Sequence, residues 1–282
     1  MTRWLCWLGL LACACGAAAQ QRVSVPSLDA PHGAALGLPG YWFAAPGAAR
    51  APAWVLLHGC GGPYDADGKP TRRMHDYAKL LNEQGMHALV LDSLTPRGEK
   101  ELCTQRTGQR RVTQTQRRRD ALGALQWLAA RADVDAARLG LIGWSNGGST
   151  VLAATNASHA EVAAATVRAS RAVAFYPGCG EEQRRGYRPV APLLLLLGEA
   201  DDWTPVAPCQ ALAARAEAPQ IEVHVYPGAY HGFDGQAKVR LRSDVPNGAR
   251  PGAGVHVGGD AAARDASLAA LRAWLKAMPT TQ

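Results

Sequence analysis

The sequence predicts an α/β domain: a mostly parallel central sheet with helices on both faces. Three observations lead there. Strand-like and helix-like patterns alternate from Ala53 to the C-terminus, which is the signature of a parallel sheet wrapped by crossover helices. Leu193 to Leu197 is a run of five leucines, apolar on both sides as only a central parallel strand must be. Polar, glycine-rich clusters fall just past four of the strand ends, at His58, Ser145, Asp201/Asp202 and His231. Ligand sites of open α/β sheets lie at that edge.

Composition agrees with one large core. The chain has 282 residues, of which 48% are hydrophobic and 19% charged. It shows no internal repeat and no linker, so residues 20–282 are expected to form a single domain. Residues 1–19 read as a signal peptide. Arg3 is followed by a short apolar run and then small residues, with an A-x-A-like cleavage site after Ala19. The rival reading is a lipid anchor at Cys13, in Leu10-Leu-Ala-Cys13. Either way the protein is expected to be exported, periplasmic or secreted. The apolar run is too short to span a membrane, and no later stretch is long enough.

The expected elements follow in order. Gly40 to Ala44 is the one strand-like piece before Pro52. Ala53 to His58 is a buried strand that stops at Gly59-Cys-Gly-Gly-Pro63. Met74, Tyr77, Ala78 and Leu81 recur at helical spacing until Gly85. Met86 to Leu94 is a strand, and Thr95 to Thr115 a long polar loop. Gln116 to Arg131 is a helix with Leu122, Leu125, Trp127 and Leu128 inward. Leu139 to Ile142 is a strand, then Gly147 to Ala157 a helix. Arg171 to Tyr176 and the leucine run are further strands. Val206 to Ala218 is a helix, Gln220 to Tyr226 a strand and Gly235 to Gly259 a second long loop. The last helix spans 261–278, with Leu268, Leu271, Trp274 and Leu275 on one face.

Charge and cysteines exclude some classes. The net charge of +7 is mostly local, since Arg106, Arg110, Arg111, Arg117, Arg118 and Arg119 share one segment. Without a recognition motif, and in an exported chain, these are expected to form a solvated loop and helix face rather than a nucleic-acid site. Past the signal the cysteines are Cys60, Cys103, Cys179 and Cys209. No pair of ligands has metal spacing, so no metal is expected. In an exported chain two disulfides are expected. The pairs that share the carboxyl edge of the sheet are Cys60–Cys103 and Cys179–Cys209, with each cysteine just past a strand or in a loop.

Chemistry concentrates at Gly143-Trp-Ser-Asn-Gly147, a Gly-x-Ser-x-Gly between a strand and a helix. So sharp a turn leaves no room for side chains on the flanking residues, and it exposes the Ser145 hydroxyl. An alcohol nucleophile needs a base, and the base needs a carboxylate on its far nitrogen. The chain order Ser145, then Asp201 or Asp202, then His231 is that of α/β-hydrolase triads. Two N–H donors must face the developing oxyanion. Asn146, next to the nucleophile, is expected to supply one, and the loop after the Ala53–His58 strand the other, from Cys60 with Gly59 as the alternative.

Gly143-Trp-Ser-Asn-Gly-Gly148, Gly198-x-x-Asp201-x-x-x-Pro205 and Tyr230-His-Gly-Phe233 together resemble the dienelactone hydrolase family of α/β-hydrolases. The resemblance runs from about Trp54 to the C-terminus. It implies the α/β-hydrolase fold and an esterase or lactonase that uses no cofactor. Its loop spacing implies Asp201, not Asp202, as the partner of His231, which leaves Asp202 to cap the helix near Pro205. The chain departs from the family in having Ser145 where dienelactone hydrolases proper carry cysteine, and in being exported where they are cytoplasmic. A small carboxylic ester or lactone is thus a safer substrate than dienelactone itself. Alternatives are a serine peptidase of the same fold, a polyester hydrolase or cutinase, whose Gly-Trp-Ser-x-Gly elbow is similar, and a non-catalytic hydrolase-fold binding protein.

Overall fold

The computed structural model describes residues 20–31, 33–47, 50–216 and 221–277. The expected signal peptide, with Cys13, lies outside the described residues. Ten strands are described: β1 (Gln20–Pro26), β2 (Gly37–Phe43), β3 (Ala51–Leu57), β4 (His87–Leu91), β5 (Val134–Trp144), β6 (Arg171–Phe175), β7 (Leu193–Gly198), β8 (Ile221–Tyr226), β9 (Arg240–Arg242) and β10 (Val255–Val257). The helices are α1 (Arg72–Glu83), α2 (Gln114–Ala129), α3 (Asn146–Thr155), α4 (Ala160–Ala163), α5 (Gly180–Arg185), α6 (Val206–Arg215) and α7 (Ala261–Lys276).

Strands β1 to β8 form one sheet in the order β1-β2-β4-β3-β5-β6-β7-β8. β1, β2 and β4 pair antiparallel, and every pair from β4 through β8 is parallel. This is the mostly parallel sheet that the alternation of elements predicts, in the α/β-hydrolase arrangement that the resemblance implies. Side chains two apart share a face of a strand, and the two faces have separate cores. Ala53, Val55 and Leu57, with Leu193, Leu195 and Leu197, face α2, α3 and α6. Trp54 and Leu56, with Leu194 and Leu196, face α1 and α7. The leucine run is buried along its whole length because both faces are covered.

Several elements depart from expectation. β1 reads as irregular chain because Val25 is its one buried residue, with Val23 only partly buried against the core. The loop after His231 contains the β9–β10 hairpin, and α5 follows β6. The arginine segment is not a solvated face throughout. Arg117 and Arg118 are buried on α2, and Arg118 pairs with Glu161 at 2.8 Å. Long arginine stems can follow a helix inward when their guanidinium groups meet acceptors there.

The sulfur atoms are bonded as Cys60–Cys103 and Cys179–Cys209. Cys209 sits within α6 rather than in a loop, so the second bridge ties the start of α5 to α6. That bridge closes a separation of 30 residues. The variant Cys179→Ser/Cys209→Ser should therefore lose about 2–4 kcal/mol of stability. Urea unfolding under non-reducing conditions measures this, and an unchanged midpoint would mean that the bridge contributes nothing.

Candidate active site

The site is built where β3 and β5 end side by side. Leu57 pairs with Gly143 in parallel register. The chain then turns at Ser145, whose φ of 54° and ψ of −117° lie outside the regions open to ordinary residues. Two close approaches enforce the turn. A Cβ on Gly147 would lie 1.9 Å from the Leu57 carbonyl oxygen, and one on Gly143 would lie 2.2 Å from the Gly147 carbonyl oxygen. The Ser145 N–H is held by the Phe175 carbonyl at 2.9 Å. The hydroxyl is left at the mouth of a cavity of about 630 Å³.

Ser145 Oγ lies 2.8 Å from His231 Nε2, and His231 Nδ1 lies 2.8 Å from Asp201 Oδ2. An ionised carboxylate only accepts, so Nδ1 carries the hydrogen and Nε2 is free to accept the serine hydroxyl proton. His231 and Asp201 are both buried. Asp201 Oδ1 accepts the N–H groups of Trp203 and Thr204, each at 2.8 Å. The Thr204 hydroxyl lies 2.9 Å from Asp201 Oδ2, 3.1 Å from His231 Nδ1 and 3.0 Å from the Tyr176 carbonyl. Trp203 and Tyr176 enclose the imidazole, with ring centroids 4.6 and 4.7 Å away. A hydroxyl, a correctly tautomerised imidazole and a buried carboxylate in this sequence can move a proton from the hydroxyl during attack on a carbonyl.

Asp202 does not cap the next helix. Its Oδ1 accepts the His256 N–H at 2.8 Å, and its Oδ2 lies 2.7 Å from His256 Nδ1. Pro205 is the residue at the start of α6, with no side-chain cap. The helix starts only at Val206, after Pro205, and the Asp202 carboxylate is already engaged by His256. The two aspartates point apart, one to His231 and the other to the 235–259 loop.

Cys60 and Asn146 line the same cavity as Ser145. Among the described residues neither amide donates to a turn or loop acceptor. Cys60 is tied to the 95–113 segment twice, by the bridge to Cys103 and by its carbonyl, which accepts the Leu102 N–H at 2.7 Å. The remaining walls come from Arg110 and Val112 of that segment, from Asn247 of the 235–259 loop, and from α5 through Glu181 and Arg184. Among the described residues no cluster of three His, Cys, Asp or Glu side chains is placed to hold a metal ion. No helix among them is long and apolar enough to cross a membrane.

Four residues at the site carry no motif signal: Trp203, Thr204, Tyr176 and Arg117. Only Trp203 and Thr204 sit next to one, the Gly198–Pro205 loop. Tyr176 has a φ of 38° and donates to buried Asp234 at 2.7 Å.

Comparison with known proteins gives one family. Residues 38–278 match the dienelactone hydrolase family. Among solved structures, a dienelactone hydrolase-like promiscuous phosphotriesterase from metagenomic libraries superposes with a TM-score of 0.62 at 19% identity, covering 92% of this chain and 98% of that one. A thermophilic esterase from Thermogutta terrifontis gives 0.60 at 16% identity, covering 91% and 96%. A puromycin-hydrolyzing peptidase from Mycobacterium tuberculosis gives 0.54 at 19% identity, covering 76% of this chain and 37% of that one. At these identities the likeness is one of fold. No curated protein matches the sequence closely enough to count as a relative.

His58, at the end of β3, has a separate and testable role. It is fully buried, with Nδ1 2.6 Å from the Gly59 carbonyl and Nε2 3.3 Å from the Ser93 N–H. A carbonyl only accepts and an amide only donates, so the neutral Nδ1–H form fits both. Burial, then the nearby charge of Arg117, push its pKa well below the ordinary value. Below about pH 6.5 the unfolded chain protonates this side chain while the folded one does not. Stability must then fall as pH drops from there, by at most about 1.4 kcal/mol per unit. Urea midpoints of wild type and His58→Gln between about pH 7.5 and 5 should show a steeper fall in wild type. Equal slopes would contradict this.

Proposed function

This chain belongs to the dienelactone hydrolase family, and within it we propose that it is an exported serine hydrolase of small carboxylic esters or lactones. The observation that carries the reading is the unbroken line Ser145 Oγ, His231, Asp201, with both links at 2.8 Å. Ser145 attacks the ester carbonyl as His231 Nε2 takes its proton. The charge that develops on the imidazole is held by Asp201, whose position is set by two amides and the Thr204 hydroxyl. The oxyanion is received by the N–H groups of Asn146 and Cys60. Collapse of the tetrahedral intermediate expels the alcohol, which takes the proton from His231. Water, activated by the same histidine, then releases the acid and regenerates the serine. No cofactor takes part, and residues 20–282 act as one catalytic domain.

Ester rather than peptide chemistry is supported by the family and by the esterase and phosphotriesterase among the structural neighbours. Export is supported by the leader-like first 19 residues and by two disulfides, which persist in oxidising compartments.

Labelling with a fluorophosphonate followed by peptide mapping should place the adduct on Ser145. Ser145→Ala should fold normally, take no label and lose hydrolysis of p-nitrophenyl acetate. A folded Ser145→Ala protein with wild-type turnover would remove the nucleophile assignment. Asp201→Asn should lower kcat on the order of 10⁴-fold, by analogy with other triads. Asp202→Asn should change kcat far less, because its carboxylate serves His256. If Asp202→Asn is the inactive protein, the acid has been assigned to the wrong residue.

A further inference from the structure

The fold buries one cation with no carboxylate in contact. Arg117 is wholly buried near the N-terminal end of α2. Among the described residues no Asp or Glu lies within ion-pair distance of it. Its Nε has no hydrogen-bond partner. Burial pushes its pKa down to about 10, with the more distant Asp120 and Asp92 pulling the other way. The first turn of a helix is also where the backbone dipole disfavours a positive charge. A group held against desolvation, lost hydrogen bonding and the dipole is unlike a surface arginine folded inward for packing.

What it touches gives the reason. One terminal nitrogen donates to the His58 carbonyl at 2.7 Å, two residues before Cys60. The other donates to the Asn146 side-chain oxygen. These two segments carry Cys60 and Asn146, which line the cavity beside Ser145. They are 59 and 29 residues from Arg117 in the chain, and the guanidinium is a single rigid plane between them. A second residue of the same helix turn reinforces the contact, since Gln114 Nε2 donates to the Asn146 carbonyl at 3.2 Å. The helix end is itself fixed by a Thr113/Gln116 capping box.

We propose that Arg117 is a positioning residue for the oxyanion site: its guanidinium braces the Cys60 and Asn146 segments against each other and adds positive potential where the anionic oxygen forms. This rests on the serine-hydrolase reading above. His58, held neutral by burial and then by the same cation, adds no second positive charge to that space. The brace matters only once negative charge develops, so its loss should fall on kcat and not on KM.

The experiment compares wild type, Arg117→Met, Arg117→Lys, Asn146→Ala and the Arg117→Met/Asn146→Ala double variant. Each is titrated with a fluorophosphonate to count reactive serines and assayed on p-nitrophenyl acetate per reactive site. Arg117→Met should lower kcat by about 10- to 100-fold, short of the loss from deleting an oxyanion donor outright, with KM within about threefold. Arg117→Lys, which keeps the charge but not the planar fork, should recover part of that loss. Asn146→Ala keeps its backbone N–H and cuts one arm, so its loss should be smaller and should not add to that of Arg117→Met.

Unchanged kcat per reactive site in Arg117→Met would overturn the proposal. So would a loss explained wholly by fewer reactive serines, or losses that multiply in the double variant. Should Arg117→Met fail to fold, Arg117→Lys and Asn146→Ala decide, and wild-type kcat per site in both overturns it. Absence of label at Ser145 in wild type would instead sink the serine-hydrolase reading, and this inference with it.

Discussion

The site depends on one backbone contact, the seating of the first turn of α3 on the end of β3. Leu57 and Gly143 are neighbours across the parallel pair, and Gly147 rests so near the Leu57 carbonyl that no side chain fits between them. That contact fixes the distance between the chain leaving β3 and the chain leaving β5. Ser145 and Asn146 belong to one of these segments and Cys60 to the other. Holding Ser145 at positive φ costs about 1–3 kcal/mol, which persists only where the surroundings over-determine the geometry. Here they do so through the Phe175 carbonyl on one side and the packed glycines on the other.

The second half of the arrangement is electrostatic. Asp234, three residues after His231, is buried and accepts from Arg73 at 2.9 and 3.0 Å, from Tyr77 at 3.1 Å and from Tyr176 at 2.7 Å. Burial, with Asp234 beside them, pushes both tyrosines well above the ordinary phenol range, so they remain donors. Tyr176 in turn stacks edge-on against His231 and offers its carbonyl to Thr204, which touches Asp201. The loops after β6, β7 and β8 are thereby locked to one another through a single fully satisfied polar network. Such networks specify one arrangement because each partly satisfied alternative strands a buried charge.

Much of this was legible in the sequence. Parallel strands that are apolar on both faces, and reactive residues placed just beyond them, are periodic and local signals. The family's loop spacing was needed to choose between Asp201 and Asp202. What stayed hidden was non-local or nearly featureless. β1 buries so little that its alternation is weak, and β9 and β10 are only three residues long. α5 has six residues and no apolar stripe, yet it forms a wall of the cavity. Arg117 stands among five other arginines that look alike in sequence, and its acceptors arrive from β3 and α3. Asp202 looked free to cap a helix because nothing local in the sequence says that His256, 54 residues on, takes its carboxylate.

Between scaffold and cavity lies a third, small apolar cluster of Cys60, Leu94, Leu102, Cys103 and Val112, on which Trp203 packs. It is separate from the two cores of the sheet and too small to hold a long loop by burial alone. A covalent tie across it supplies what area does not, as disulfides do in small domains with insufficient cores. The same tie ends at Cys60, which lines the cavity with Ser145, and Trp203 lies against His231. The 95–113 segment is therefore tied near its middle, at Cys103, while Thr107, Arg110 and Val112 beyond the tie line the cavity. The positions of Ser145, Asp201 and His231 are thus set by the sheet and its turns, and one wall of the cavity by a loop that the sheet does not have to fold.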